Sequence, residues 1–199
     1  MKYNISGVIL AGGAGRRFGG IQKARLQIGG KTIISRIIET IGELFPEIII
    51  VTNTPSEFSD CSDCKITYDH FPGQGPLAGI HAALKASSYD AVFVFAGDMP
   101  FLNSEIVQKQ ADAFIDNDFE IFIPRIGDVI EPLHSVFMRY IVEDLEKFLS
   151  EPRGRSIRDF ITGRNTGYLE LEDSPETKHA FANINSPSDI KRIEADFYL

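Results

Sequence analysis

No apolar stretch in the sequence approaches the ~20 residues needed to cross a bilayer, which argues against a membrane-spanning helix. No apolar leader with a cleavage site is visible either. Met1-Lys2-Tyr3-Asn4 runs directly into an apolar segment, and the cytoplasm is the expected compartment. Positive charge is in deficit: 20 Lys and Arg face 28 Asp and Glu, a net charge of −8 that speaks against a broad nucleic-acid surface. It leaves room for a local basic pocket. Cysteine is scarce. Cys61 and Cys64 form one C-x-x-C pair, but a zinc site of that type needs a second ligand pair. A thioredoxin-like motif belongs at a strand-to-helix junction, whereas Phe58-Ser59-Asp60 reads as loop, so both thiols are expected on the surface without function. His70, His81, His134 and His179 are too scattered to form a ligand cluster and are assigned no metal. No linker, repeat or low-complexity tract divides the chain. With 199 residues, 43% of them hydrophobic, residues 1–199 are expected to form one domain around one substantial core.

What is present is concentrated in Leu10-Ala11-Gly12-Gly13-Ala14-Gly15-Arg16-Arg17-Phe18-Gly19-Gly20-Ile21-Gln22-Lys23. This loop is dense in glycine, carries three cations and has no acid. Glycines let backbone N–H groups close on an anion, and Arg and Lys add charge to the cradle. A phosphate-rich ligand is the simplest occupant. Two common glycine loops do not fit. A dinucleotide loop needs G-x-G-x-x-G, and Phe18 stands where its third glycine belongs. A P-loop ending at Gly30-Lys31-Thr32 would need a glycine at Arg25, so Lys31-Thr32 is read as a helix start.

Along the chain, apolar strands alternate with amphipathic helices. Ile5–Leu10 is the first strand. Thr32 caps a helix whose apolar residues, Ile33, Ile34, Ile37, Ile38, Ile41, Leu44 and Phe45, recur near a 3.6-residue period, with Pro46 ending it. Ile48-Ile49-Ile50-Val51 and Ala91–Ala96 have the continuous apolar character of strands covered on both faces. Further strands are expected at Lys65–Tyr68, Glu120–Pro124, Leu133–Met138 and Thr166–Leu171. Helices are expected at Leu77–Ala86, from Asn103 or Ser104 to Ile115, and at Tyr140–Leu149, Ser156–Ile161 and Ser186–Phe197. The fold class is therefore α/β: a three-layer, Rossmann-like, mostly parallel sheet with helices on both faces. In such sheets ligands bind beyond the carboxyl ends of the strands, where the glycine loop and Asp98 both fall.

Several residues there can carry chemistry. Asp98 ends an apolar strand. It is either an acid at a helix start or, beside a phosphate loop, a Mg²⁺ ligand, and the metal role is the reading adopted. Lys23 is either a solvated surface lysine or, in a loop of glycines, a mobile point charge reaching the phosphates, and the phosphate role is the reading adopted. Arg17 joins Lys23 and Asp98 as a catalytic candidate, while one of Arg16 and Arg17 serves to brace the loop. Asp69 ends a strand and either holds a ligand group or starts a turn; Asn53 either recognises base or ribose or is a turn residue.

Three segments, Leu10-Ala11-Gly12-Gly13…Arg17-Phe18-Gly19…Lys23, Gly75-Pro76-Leu77-Ala78-Gly79-Ile80 and Asp98-Met99-Pro100-Phe101, together resemble the molybdenum cofactor guanylyltransferases. Glu131-Pro132-Leu133-His134-Ser135-Val136-Phe137 and Phe181-Ala182-Asn183-Ile184-Asn185-Ser186-Pro187 are similar to two further motifs of that family, so the likeness spans nearly the whole chain. It implies a nucleotide-diphospho-sugar-transferase-like fold, GTP at Leu10, Ala11, Gly12, Gly13 and Lys23, and Asn53 and Asp69 on the nucleoside side. Val51 is the alternative to Asn53 in register. It implies Mg²⁺ as cofactor at Asp98, and Asn183 and Asn185 near the pterin. Gln22 stands where the family often has Asp, and Phe18 and His134 replace a common Met and Phe.

The expected activity is transfer of GMP from GTP to molybdopterin. Another nucleotidyl transfer, of CMP to molybdopterin or of a nucleotide to a sugar phosphate or other phosphate acceptor, is the alternative within the class. A non-catalytic nucleotide-binding partner is the alternative outside it. GTP and molybdopterin are the expected partners, with no nucleic acid or membrane, and transient contact with other cofactor-assembly proteins is a further expectation.

Overall fold

The computed structural model describes residues 3–12, 19, 21–151 and 156–190. Strand β1 (Ser6–Leu10) opens the chain. A short 3₁₀ turn at Lys23–Arg25 leads into a small hairpin of β2 (Gln27–Ile28) and β3 (Lys31–Thr32), then helix α1 (Ile33–Ile41) and β4 (Glu47–Val51), and further 3₁₀ turns lie at Pro55–Phe58 and Arg139–Ile141. Next come β5 (Lys65–Thr67), α2 (Pro76–Ala86), β6 (Ala91–Ala96), α3 (Ser104–Ile115), β7 (Ile121–Ile126), β8 (Val129–Ile130) and β9 (His134–Met138). Helices α4 (Val142–Ser150) and α5 (Ile157–Ile161), strand β10 (Thr166–Leu171) and helix α6 (Pro175–Ala180) follow.

The main sheet has the order β10-β7-β9-β6-β1-β4-β5, with β8 paired to β7. Strands β6, β1, β4 and β5 run parallel, as do β7 and β10; β9 is antiparallel to both neighbours. Side chains alternate between the faces, as strand geometry requires. Ile9, Ile50, Phe93 and Phe95 join the core under α1 and α3, while Val8, Ile49, Val92 and Val94 join the core under α2, α4 and α5. This double burial is why the central strands read as unbroken apolar runs. The rings of Phe93 and Phe95 stack 4.5 Å apart within the first core.

Local chemistry accounts for the element ends. Thr32 accepts from Ser35 N and Asn103 accepts from Glu105 N and Ile106 N, each a side-chain N-cap. Helix α1 stops at Ile41, four residues before the expected end, because Gly42 closes it and the following turn swings Leu44 and Phe45 into the core. Several short elements were not expected, and three of them have clear local causes. The β2–β3 hairpin turns on Gly29 and Gly30, both at positive φ, the pair a tight two-residue turn demands. Strand β8 arises because Gly127, at φ +57°, folds the Ile126–Val129 turn into a hairpin. Helix α6 is started by Ser174 capping Thr177 N, with Pro175 in the first turn. The expected closing helix begins at residue 187 and mostly lies outside the described residues. No helix of the described residues is long and apolar enough to cross a membrane.

Candidate active site

Strand β1 is flanked on one side by β4, which follows it in the chain, and on the other by β6. The connection therefore reverses direction across β1, and a crevice opens beyond the strand tips at that point. Here it is a cavity of about 410 Å³ walled by Leu10, Ala11 and Gly12 after β1, by Val51, Thr52 and Asn53 after β4, and by Ala96, Gly97 and Asp98 after β6. The strand ladder extends one residue further into the walls. Ala11 N donates to Val51 O at 2.8 Å, Gly97 N to Leu10 O at 3.0 Å, and Thr52 N to Thr67 O at 2.9 Å. Three peptide segments are thereby held rigidly side by side.

Helix α2 points its N-terminus into the same cavity, through Gly75, Pro76 and Gly79. Gly75 adopts φ +66°, ψ −155°, a conformation that only glycine enters readily, and Pro76 follows as the first helical residue. The positive end of the helix dipole gives the cavity a wall suited to an anion.

Lys23 and Asp98, expected to work together, do meet. Lys23 Nζ donates to Asp98 Oδ2 at 2.8 Å and to Asn185 Oδ1 at 3.0 Å. Asn185 is brought there because Ile184 N donates to Asp98 O at 2.9 Å, laying the closing motif against the tip of β6. Asp189 fixes the same bend by accepting from both Asn185 N and Ser186 N. Asn183 is exposed, does not wall the cavity, and its amide turns back to Phe181 O at 3.4 Å. Asp69 lines the cavity and also starts a turn, with Oδ1 accepting from Phe71 N at 2.7 Å. Asn53 accepts from Asp69 N at 3.3 Å; Val51, its rival in register, lines the same wall. Gly13, Arg16 and Arg17 lie outside the described residues.

Sequence reasoning missed two polar wall residues. Gln22 is buried, lines the cavity and donates from Nε2 to Thr54 Oγ1 at 3.1 Å, tying the Lys23 turn to the loop after β4. Thr52 is buried beside it, where its Oγ1 accepts from Thr54 N. A polar residue directly before Lys23 and another directly after a buried strand were the available signals. The cysteines need correction. Cys61 and Cys64 are half-buried and pack against the core under α1 and α3, so they are not surface thiols. Burial pushes the Cys61 thiol up and carries Cys64 to about 11. The segment is pinned by Asp60, whose two carboxylate oxygens each accept from Arg25 Nη1 at 2.9 Å.

A doubly covered sheet with an anion-accepting, Lys- and Asp-bearing crevice at its direction switch defines an α/β enzyme that handles nucleotides. Residues 7–166 match the family described as the MobA-like NTP transferase domain. The chain belongs to that family of nucleotidyltransferases. It is 31% identical over 193 residues to a molybdenum cofactor guanylyltransferase of Desulfosudis oleivorans, covering 96% of this chain and 95% of the relative. It is 37% identical over 193 residues to a probable molybdenum cofactor guanylyltransferase of Clostridium perfringens, covering 94% and 95%. Its fold is similar to the crystal structure of molybdopterin-guanine dinucleotide biosynthesis protein A from Archaeoglobus fulgidus, with a TM-score of 0.80, 26% identity and coverage of 98% and 99%.

Proposed function

We propose that this chain, working as one domain in the cytoplasm, transfers GMP from GTP to the terminal phosphate of molybdenum-bearing molybdopterin and releases pyrophosphate. The observation that carries the reading is the meeting of Lys23 and Asp98 at 2.8 Å on the wall of a cavity that also receives the N-terminus of α2. The nucleotidyltransferase relatives supply the acceptor and the base.

The chemistry needs little beyond charge control and alignment. The incoming phosphate monoester has a second pKa of about 6, so it is largely dianionic at neutral pH and needs no general base. The difficulty is bringing two anions together. Lys23, the first turn of α2 and the arginines of the glycine loop, Arg16 and Arg17, would neutralise the triphosphate and the leaving pyrophosphate. Leu10, Ala11, Gly12 and Gly13 would cradle the nucleotide, Asn53 and Asp69 would meet its nucleoside, and Asn185 with Asn183 would receive the pterin. Holding the two reactants in line would supply much of the remaining rate.

The residues also fit magnesium. One Asp98 oxygen is shared with Lys23 and, among the described residues, the other takes no hydrogen bond. Magnesium is held by one or two carboxylates together with substrate phosphates and water, and no group of three or more metal-ligating side chains occurs among the described residues. Asp98 would therefore hold a magnesium ion that arrives with the triphosphate, where it would offset developing charge as a Lewis acid.

The test is a nucleotide panel with molybdenum-loaded molybdopterin as acceptor, followed by pyrophosphate release. Release with GTP and acceptor together is the expected result. Release with CTP, or only with a sugar phosphate as acceptor, would overturn the assignment within the class; GTP binding with no release would overturn catalysis itself.

A further inference from the structure

The ammonium of Lys23 is engaged twice. It donates to Asp98 Oδ2 at 2.8 Å and to Asn185 Oδ1 at 3.0 Å, on residues 75 and 162 positions away. Both side chains of the ion pair are largely withdrawn from solvent, 26% exposed for Lys23 and 23% for Asp98, so bulk salt screens the pair less than one at the surface. The Asp189 carboxylate holds the Asn185 backbone N–H at 2.9 Å, which keeps this residue beside the lysine. The lysine is thus kept seated on one oxygen of the carboxylate, and its charge stands beside the other, where a cation would approach.

We infer that Lys23 is a gate on Asp98, closing the carboxylate to a free divalent cation and yielding it only when a triphosphate arrives to take the ammonium. A cation approaching alone meets a like charge already paired with its ligand. Displacing Lys23 would leave two positive charges in one crevice with a single carboxylate between them. Asp69, the other acid on the cavity wall, has one oxygen committed to Phe71 N. A triphosphate changes this balance, because it brings several oxygens to which Lys23 can turn. Nucleotide and cation then support each other's binding through one side chain, as reciprocal coupling requires. The inference rests on the nucleotidyltransferase reading and adds to it a rule of entry: cation with nucleotide, not cation first. Lys23 acquires a second task, excluding unproductive metal, beyond contacting phosphate.

The test is Mn²⁺ binding followed by electron paramagnetic resonance of the free ion, with and without a non-hydrolysable GTP analogue, after correction for the Mn²⁺ that the analogue takes up in a protein-free titration. The wild-type protein should bind Mn²⁺ weakly alone and about tenfold or more tightly with the analogue, within the usual range of coupling between two ligands. Lys23→Ala and Lys23→Met should both bind Mn²⁺ more tightly than wild type in the absence of nucleotide. Adding Asp98→Asn to Lys23→Ala should abolish that gain, which assigns it to this carboxylate. Two lysine variants of different size guard against a packing artefact at one of them. Equal nucleotide-free Mn²⁺ affinity in wild type and both lysine variants, with the wild type still gaining affinity from the analogue, would overturn the gate and leave the proposed function standing. No gain from the analogue in the wild type would instead overturn the nucleotide–metal reading on which the gate depends.

Discussion

Gly97 and Leu10 touch backbone to backbone. The Gly97 N–H donates to Leu10 O at 3.0 Å, and a Cβ added at residue 97 would lie 2.8 Å from that oxygen and 3.3 Å from Ala11 Cα. No side chain can swing away to make room, so Gly97→Ala has to push the tip of β6 off the tip of β1. Overpacking of this kind costs about 1–3 kcal/mol. The variant should melt several degrees lower and, because Asp98 is the next residue, should also bind metal–nucleotide more weakly. Gly79 offers the contrast. A Cβ there meets Leu10 Cδ2 at 3.0 Å, the far end of a flexible side chain. Gly79→Ala should therefore narrow the cavity and weaken nucleotide binding while changing the melting temperature little. A Gly79→Ala loss of stability equal to that of Gly97→Ala would contradict the distinction.

Asp98→Asn keeps the shape of the side chain and removes its charge. If Asp98 holds the magnesium that arrives with GTP, turnover should fall by about 10³-fold, the scale seen when one preorganised electrostatic contact to a transition state is lost. Near-normal steady-state activity in magnesium would remove the metal assignment. Lys23→Ala should act mainly on the ground state. Loss of a charge-assisted hydrogen bond, about 1.5–3 kcal/mol, predicts nucleotide affinity weakened by about 10- to 150-fold. Isothermal titration with GTP analogue and magnesium measures this directly, and unchanged affinity would refute a phosphate contact.

The bend at Asn185 gives a prediction about the acceptor. Asp189 Oδ2 accepts from Asn185 N and Ser186 N, and it reaches the cavity only at second hand, through the Asn185 amide that accepts from Lys23. Asp189→Ala should loosen the bend and raise KM for molybdopterin several-fold, with a smaller loss of GTP affinity passed on through Asn185 and Lys23. A matching loss of GTP affinity would show that the bend serves the nucleotide instead.

How much of this was legible in the sequence depends on the distance over which each feature is decided. Ile48–Val51 and Ala91–Ala96 declared themselves because a strand buried on both faces has no polar positions to obscure it. Thr32 was legible as a cap because capping is settled within one turn. The β2–β3 hairpin was overlooked although Gly29-Gly30 is a strong local signal, since two-residue strands are too short for periodicity to register. Lys23 and Asp98 could be proposed as partners because the rule that ligands sit beyond parallel strand tips converts topology into proximity. The hold of Lys23 on Asn185 was out of reach, as it joins residues 162 positions apart through a bend fixed by Ile184 and Asp98. The cysteines were misjudged because a polar loop sequence does not reveal that Arg25 and Asp60 clamp it down onto the core.

His134 supplies a prediction about pH. It is fully buried at the start of β9, edge-on to Phe93, Phe95 and Phe181, and its Nδ1 lies 3.0 Å from Gln110 Oε1. Gln110 spends its Nε2 on Phe122 O and His134 O, so its Oε1 can only accept, and Nδ1 must carry the proton of a neutral ring. Burial pushes the histidine down to about 3 from its usual 6.5. The sign follows: between those values the unfolded chain takes up a proton that the native state refuses, so stability falls as pH drops through 6.5 and levels off below about 3. The slope from this one residue is at most about 1.4 kcal/mol per pH unit. His134→Phe fits the aromatic surroundings but leaves Gln110 Oε1 without its partner, which should destabilise the protein by about 1–3 kcal/mol at neutral pH. That variant has no proton to refuse. Its deficit relative to wild type should therefore shrink by about 1.6 kcal/mol between pH 6.5 and 5, measured by urea unfolding at each pH. A deficit that stays constant across that interval would mean that His134 is protonated equally in the folded and unfolded chains, against the buried neutral ring described here.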